Sequence, residues 1–289
     1  MNIKAYAKIN LSLDVTGKRE DGYHLLKMVM QSIDLYDEIK VELIPKGIDL
    51  SCNLPFVPVN GKNIAHKAAS AFMKRIGMSH GVRIHIEKRI PVAGGLAGGS
   101  SNAGAVLRAL NELTGQPLTF QELLDLGLSL GADVPFTMTG GTALCEGIGE
   151  IITPLTDFSG HWLVLVKPPF GVSTRQIFSA FKINRVHRHP RTGRLIQGID
   201  SGDLKMVAQN LGNVLENVTF QRRPVLRKIK QDLLLEGALG SLMSGSGPTV
   251  FGVFESEATA RSAYAAFKKK YAETFLVQTI SKDGLFSSF

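Results

Sequence analysis

The chain has few cysteines and no long apolar run, and each shortage excludes a class of protein. Its 289 residues contain only two cysteines, Cys52 and Cys145. Two cysteines are too few for a disulfide framework and are typical of a reducing compartment. No stretch reaches the roughly 18 apolar residues of a membrane-spanning helix, and the first residues contain no apolar signal region. We therefore expect a cytoplasmic protein that does not associate with membranes.

Two common phosphate-binding motifs are also missing. No lysine follows the glycines in a G-x-x-x-x-G-K-[ST] pattern, and no strict G-x-G-x-x-G precedes an acidic residue by about twenty positions. No group of His and Cys residues has the spacing of a metal site. The sequence thus predicts neither a Walker-type nor a Rossmann-type loop, and it predicts no resident metal.

The composition is that of a soluble globular protein. Apolar residues make up 44% and charged residues 20%, and the length fits two domains or one large domain. Alternating segments predict strands near residues 8–15, 82–87 and 162–166, with one or two helices between successive strands. The strand at 8–15 is predicted to be half-buried, and helices are predicted near 121–130 and 203–216. Asn63 is predicted to cap a further helix, and Thr119 and Glu122 to form a capping box at the start of the helix near 121–130. This order indicates an α+β chain of two layered domains.

The net charge of +8 leaves the choice of ligand open. A basic segment, 182–194, carries a charge at about every third residue but no interleaved aromatic residues. A solvated surface is the first interpretation, and contact with an anionic substrate or with nucleic acid are the alternatives. We expect no nucleic-acid partner.

A glycine-rich run at residues 91–102, PVAGGLAGGSSN, is the most informative part of the chain. Glycine reaches positive φ without a Cβ clash, so several backbone N–H groups can converge on one centre. Apolar residues spaced i, i+3, i+4, i+7 from Ala103 predict a helix after the loop, with Ser100 or Ser101 at its N-cap. Such a loop before a helix N-terminus can bind an anion, a phosphate above all. A plain turn is the alternative.

Three further segments contain side chains or backbone groups suited to catalysis or ligand binding. Lys8 and Asn10 lie two apart on a predicted strand and therefore project from one face, towards a site or towards water. Asp133 lies between a helix end and a proline, either as a turn bracket or as a general base. The turn at Ser244–Thr249 is either a plain hairpin or a second backbone cradle. A phosphate loop, a lysine and a constrained aspartate are together the parts of a phosphoryl-transfer site.

Three blocks of sequence resemble the three motifs of the GHMP kinases: Ala7–Leu11, 91–102 and Met243–Pro248. The resemblance covers residues 3 to about 280. It implies an N-terminal domain similar to ribosomal protein S5 domain 2 (1–155) and a ferredoxin-like C-terminal domain (156–289), with the active site between them. ATP is the implied co-substrate, with any metal being Mg²⁺ brought by the nucleotide.

Finer matches at 7–24 and 130–136 indicate the branch of the family that phosphorylates the 2-hydroxyl of a cytidylylated methylerythritol in the non-mevalonate isoprenoid pathway. The resemblance implies that Asp133 is the general base and that Lys8 stabilises the developing charge. Asn10 would orient the acceptor, while Tyr23, His24 and Phe178 would contact the cytidine. The implied nucleotide-binding residues are Asn63, Lys88, Pro91, Gly94, Gly95, Leu96, Ala97, Gly98, Gly99, Ser100 and Ser101.

Two other functions fit parts of the sequence. One is a different GHMP kinase, acting on mevalonate or homoserine, although the block Asp21–His24 gives a reason to handle a nucleobase. The other is a non-catalytic protein on the same fold that binds nucleotide or nucleic acid, which the retention of Lys8 and Asp133 argues against. We expect a small-molecule kinase that is a monomer or a weak homodimer.

Overall fold

A computed structural model of the chain describes residues 1–186 and 188–286 and divides its strands between two sheets. The first half of the chain alternates strands and helices around the larger, seven-stranded sheet. Its elements are β1 (Asn2–Lys18), β2 (His24–Ile44), β3 (Ile48–Cys52), α1 (Ile64–Ile76), β4 (Gly81–Glu87), α2 (Gly98–Leu113), α3 (Phe120–Leu130), α4 (Val134–Thr139), β5 (Thr142–Gly147) and β6 (Ile151–Pro154).

The second half of the chain forms a four-stranded antiparallel sheet covered by helices. Its elements are β7 (Trp162–Lys167), α5 (Thr174–Ala180), a 3₁₀ turn (Ile183–Arg185), α6 (Thr192–Asp200), α7 (Leu204–Gln209), β8 (Gly212–Asn213), α8 (Glu216–Arg222), α9 (Val225–Leu235), β9 (Gly240–Met243), β10 (Val250–Phe254), α10 (Glu257–Lys268), β11 (Glu273–Gln278) and α11 (Lys282–Phe286). The strand order β11-β7-β10-β9 is the ferredoxin-like arrangement that the sequence predicts.

The long hairpin of β1 and β2 is the centre of the larger sheet and joins the two halves. Its strands pair antiparallel, while the two-residue β8 from the second half pairs with β1 at Ser12 and Leu13. The apolar side chains of Ile9 and Leu11 pack in one cluster with Leu163 and Phe251 of the second sheet. Residues 7–13 are buried throughout, so the half-buried strand predicted for this segment is wrong: β1 is covered on both faces.

Several local predictions are confirmed by the backbone. The side chain of Asn63 caps α1 by accepting a hydrogen bond from the backbone N–H of Ala65, and Thr119 and Glu122 form the capping box of α3. Both features follow from short-range polar chemistry. Local sequence therefore decides where these two helices begin.

Two local predictions are wrong, and one helix was not predicted. Helix α2 begins at Gly98 with Ala97 as its N-cap in the left-handed region (φ 58°), so Ser100 and Ser101 lie in the first turn and neither is the cap. The helix predicted at 203–216 is broken into α7, β8 and the start of α8 because 212–213 pairs with β1. Helix α6 lies partly in the basic segment, where no helix was predicted.

Both cysteines are free thiols, Cys145 buried and Cys52 partly exposed. Among the described residues, no helix has the length and apolar character needed to cross a lipid bilayer.

Candidate active site

The glycine-rich loop between β4 and α2 is fixed by three backbone-directed hydrogen bonds. The N–H of Lys8 donates to the carbonyl of Leu96 (3.1 Å) and the N–H of Thr249 to that of Gly94 (3.2 Å). The hydroxyl of Ser244 donates to the carbonyl of Gly95 (2.9 Å). The first and third sequence blocks therefore hold the second one in place.

Gly95 cannot be replaced without disturbing this contact. Its φ is +79°, and a Cβ built on it would lie 2.3 Å from the carbonyl oxygen of Ser244. Only glycine allows both the backbone conformation and such a close approach. The turn at 244–247 is thus packed directly against the phosphate loop, which a plain hairpin would not require.

The N-terminus of α2 presents backbone donors at the end of this loop. The N–H of Ser101 is the first one bonded within the helix, to the carbonyl of Ala97 (2.8 Å), and its hydroxyl donates to the same carbonyl (3.0 Å). The N–H groups of the preceding helical residues have no intrahelical acceptor and carry the positive end of the helix dipole. This arrangement can bind a phosphate.

Lys8, Asn10 and Asp133 come together beside the loop. The Nζ of Lys8 donates to the side-chain oxygen of Asn10 (2.9 Å) and lies 3.6 Å from the carboxylate of Asp133. The Lys8 side chain is 5% exposed and that of Asp133 is 34% exposed. Lys8 therefore does not face water, and Asp133, which makes no capping bond to α4, does not act as a turn bracket.

The thiol of Cys145 lies within the electrostatic field of this cluster. Burial, and then the negative charge of Asp133, raise its pKa to about 12, while Lys8 opposes the shift. The thiol is therefore protonated at neutral pH and supplies no nucleophile.

An aromatic cluster forms where β1 ends and β2 begins. The ring centroid of His24 lies 5.3 Å from that of Phe178 and 5.9 Å from that of Phe181. Burial, and then the charge of Lys18, lowers the pKa of His24, so its imidazole is neutral near pH 7. Tyr23 is beside it with 61% of its surface exposed. The sequence predicts His24, Phe178 and Tyr23 for this place; Phe181 was not predicted, although its position three residues after Phe178 was a usable signal.

Asn63 and Lys88 make protein contacts of their own. The side chain of Asn63 caps α1 and donates to the carbonyl of Pro58 (2.7 Å). Lys88 is buried, and its ammonium is ion-paired with the fully buried Asp37. Asp37 was not predicted, because one aspartate in an alternating strand carries no sequence signal.

Among residues 1–186 and 188–286, no three His, Cys, Asp or Glu side chains are grouped closely enough to hold a metal ion. Asp133 is a single carboxylate beside an ammonium group.

Comparison with known proteins agrees with this geometry. Residues 63–141 match the GHMP kinases N terminal domain and residues 195–273 match the GHMP kinases C terminal domain. The chain is 54% identical over 280 residues to a 4-diphosphocytidyl-2-C-methyl-D-erythritol kinase of Clostridium botulinum (strain Eklund 17B / Type B), covering 97% of this chain and 100% of that protein. A kinase of the same name from Clostridium kluyveri is 52% identical with the same coverage.

Solved structures give the same picture. A crystal structure of 4-(cytidine 5'-diphospho)-2C-methyl-D-erythritol kinase superimposes with a TM-score of 0.84 at 33% identity, covering 96% of this chain and 99% of that one. A homoserine kinase from Cytophaga hutchinsonii has a TM-score of 0.76 at 19% identity, covering 97% and 95%, and this likeness concerns the fold alone.

The two-domain fold and the glycine loop beside a lysine–aspartate pair define an ATP-dependent small-molecule kinase. The chain belongs to the GHMP kinase family.

Proposed function

We propose that the chain transfers the γ-phosphoryl group of ATP to the 2-hydroxyl of 4-diphosphocytidyl-2-C-methyl-D-erythritol, in the non-mevalonate route to isoprenoid precursors. The observation that carries the proposal is the cluster of Lys8, Asn10 and Asp133 beside the glycine loop. The name shared by the relatives at 52–54% identity supports this acceptor.

Asp133 is the proposed general base. The acceptor oxygen attacks the γ-phosphorus, the bond from that phosphorus to the bridging oxygen breaks, and ADP leaves. The proton of the hydroxyl passes to the Asp133 carboxylate, which is partly open to solvent and can reach a bound ligand. The ammonium of Lys8, 3.6 Å away, offsets the negative charge that develops on the transferred group.

The nucleotide is proposed to bind through its phosphates on the loop. The segment Gly94–Ser101 includes the first N–H groups of α2, which have no intrahelical acceptor, together with the positive end of the helix dipole, and Pro91 lies at the entry to the loop. Mg²⁺ would arrive with ATP and neutralise phosphate charge when bound. Asn63 remains a proposed nucleotide contact through its position at the start of α1.

The acceptor is proposed to lie along the polar face of β1. Asn10 would orient its hydroxyl, and the cluster of His24, Phe178 and Tyr23 would hold the cytosine, because aromatic rings stack on nucleobases. A neutral His24 imidazole offers both a donor and an acceptor to the edge of a base. A mevalonate or homoserine acceptor has no group that would use this aromatic cluster.

We also propose a division of the chain into domains 1–155 and 156–289. The boundary falls between β6 and β7, where the chain passes from the larger sheet to the smaller. We expect the enzyme to act in the cytoplasm as a monomer or a weak homodimer.

The test is ADP release measured in parallel with the cytidylylated methylerythritol, mevalonate and homoserine. We expect turnover with the first compound and none above background with the others. Turnover with mevalonate or homoserine alone would replace the proposed acceptor. Loss of turnover with the cytidylylated compound in Phe178→Leu, with an unchanged KM for ATP, would locate the cytidine contact.

A further inference from the structure

We infer that Asp37 is a positioning residue that clamps both ends of the phosphate loop, and that Lys88 acts through Asp37 and not by touching the nucleotide. The inference rests on the proposed binding of ATP phosphates at Gly94–Ser101. It concerns residues that lie behind that loop.

The carboxylate of Asp37 receives four hydrogen bonds. One oxygen accepts from the backbone N–H groups of Arg89 (2.7 Å) and Ile90 (2.8 Å). The other accepts from the side-chain amide of Asn102 (2.7 Å) and from the ammonium of Lys88. A carboxylate has about four lone-pair sites, so its accepting capacity is filled.

These four donors lie on the two sides of the loop. Lys88, Arg89 and Ile90 form its entry from β4, and Asn102 lies in α2 beyond its exit. Asp37 itself belongs to β2, at the centre of the sheet, where it pairs with Ala5 of β1. One side chain thus ties both ends of the loop to the strand hairpin that carries Lys8 and Asn10.

Lys88 lies beneath the first turn of α2. A Cβ built on Gly98 would lie 2.8 Å from the Lys88 Nζ, so the ammonium packs against the backbone at the start of the helix. Its side chain is 5% exposed and that of Asp37 is 0% exposed. Because the ammonium is engaged by a buried carboxylate, it serves as the counter-ion that allows Asp37 to be buried.

Consequently the loop's phosphate-binding N–H groups take their positions from Asp37. Preorganised donors bind an anion without a reorganisation cost, and small displacements of such donors reduce binding strongly. Loss of the clamp should therefore weaken ATP binding while leaving the proposed cytidine contacts at His24 and Phe178, where β1 ends and β2 begins, unaffected.

The experiment uses two asparagines of the same helix as a matched pair. Asn102→Ala removes one bond to Asp37, whereas Asn111→Ala removes two equivalent buried bonds, to the backbone of Leu118, at the opposite end of α2. Both variants lose buried hydrogen bonds, so both lose stability. We expect Asn102→Ala to raise the KM for ATP about tenfold with an unchanged acceptor KM, and Asn111→Ala to leave both unchanged.

A second comparison separates the roles of Asp37 and Lys88. We expect Asp37→Asn to raise the ATP KM more than Lys88→Met, since Lys88→Met leaves three of the four bonds to Asp37 intact. The double variant Asp37→Asn with Lys88→Met avoids an unpaired buried charge and should fold while keeping the raised KM. A larger effect from Lys88→Met than from Asp37→Asn would overturn the inference and make Lys88 a direct contact.

An equal ATP KM in Asn102→Ala and Asn111→Ala would also overturn it, whether or not Asp37→Asn folds. Calorimetric titration of each variant with ATP alone distinguishes a failure of the Asp37 inference from a failure of the proposed acceptor. If the wild-type protein binds ATP but does not phosphorylate the cytidylylated compound, only the proposed acceptor is refuted.

Discussion

At the scale of single residues, the candidate site places a buried ammonium group beside a partly exposed carboxylate. Lys8 is buried, yet it carries its charge between Asn10 and Asp133. A buried ammonium is stable only when it is paired and hydrogen-bonded, so this environment explains why a lysine can point inwards from β1. The same environment gives Asp133 a fixed partner and leaves one side of its carboxylate open to an incoming hydroxyl.

Replacing Asp133 by Asn tests the general-base role. We expect kcat to fall about 10²–10⁴-fold, because the amide cannot accept the proton, while ATP binding changes little. Steady-state kinetics and ATP titration measure the two effects, and Asp125→Asn on the exposed side of α3 is the control. A wild-type kcat in Asp133→Asn would contradict the role.

The two thiols should differ in reactivity. Cys145 is fully buried with a pKa raised to about 12, whereas Cys52 is partly exposed. Since the thiolate is the reacting species, we expect iodoacetamide at pH 8 to alkylate Cys52 in the native protein and Cys145 only after unfolding. Mass spectrometry of the peptides shows which is labelled, and equal labelling of both native thiols would refute the expectation.

At the scale of elements, the phosphate loop derives its shape from its neighbours. β1, the 244–249 turn and the strand β2 each hold a different part of it. A glycine-rich segment has many accessible conformations, so these contacts select the one in which the N–H groups converge. The helix start at Gly98, with Ala97 in the left-handed region, follows from the same contacts.

Two glycines with nearly the same positive φ test this dependence. Gly95 (φ +79°) packs against Ser244, while Gly115 (φ +81°) has no atom within 4 Å of a Cβ. We expect Gly115→Ala to cost about 1–2 kcal/mol from the left-handed conformation alone with normal ATP binding. Gly95→Ala should cost more and abolish ATP binding because the loop must move.

Chemical unfolding followed by ATP titration measures both quantities. Equal losses of stability in the two variants would mean that the Ser244 contact does not constrain the loop.

At the scale of the whole molecule, the two halves share their cores. Two of the three buried clusters combine residues of both sheets, as when Leu13 and Met30 pack with Val164 and Val250, and Ile9 packs with Phe251. Separate folding of the halves would expose these surfaces. The proposed boundary near 155 therefore does not divide the core into two separate parts.

We expect the chain to unfold in one cooperative transition. The single tryptophan, Trp162, reports on the second sheet, and the buried Cys145 thiol reports on the first. Fluorescence and thiol labelling across a urea series should give coincident curves, and Phe251→Ala, at a cost of about 3–5 kcal/mol, should shift both together. If Phe251→Ala shifts the midpoint of the fluorescence curve but not the midpoint of the thiol-labelling curve, the two domains unfold independently.

The glycine run, the polar positions of β1 and Asp133 could all be read from the sequence, because each depends on residue type and short spacing. The capping residues Asn63 and Thr119 were readable for the same reason. The hydrogen bonds of Asp37 could not be predicted from the sequence, since its partners lie 51 to 65 residues away along the chain. Long-range partners leave no periodic or local signal.

Residue types and short spacings are enough to predict a glycine-rich loop suited to a phosphate, a lysine and a carboxylate, and the motifs indicate the kinase family. The burial of Lys8, the pairing of Lys88 with Asp37 and the start of α2 at Gly98 all depend on long-range contacts that short spacings do not encode. The physical reason is that burial and pairing depend on which strands meet. In this chain, both faces of β1 are covered over residues 7–13, so its polar side chains there are buried.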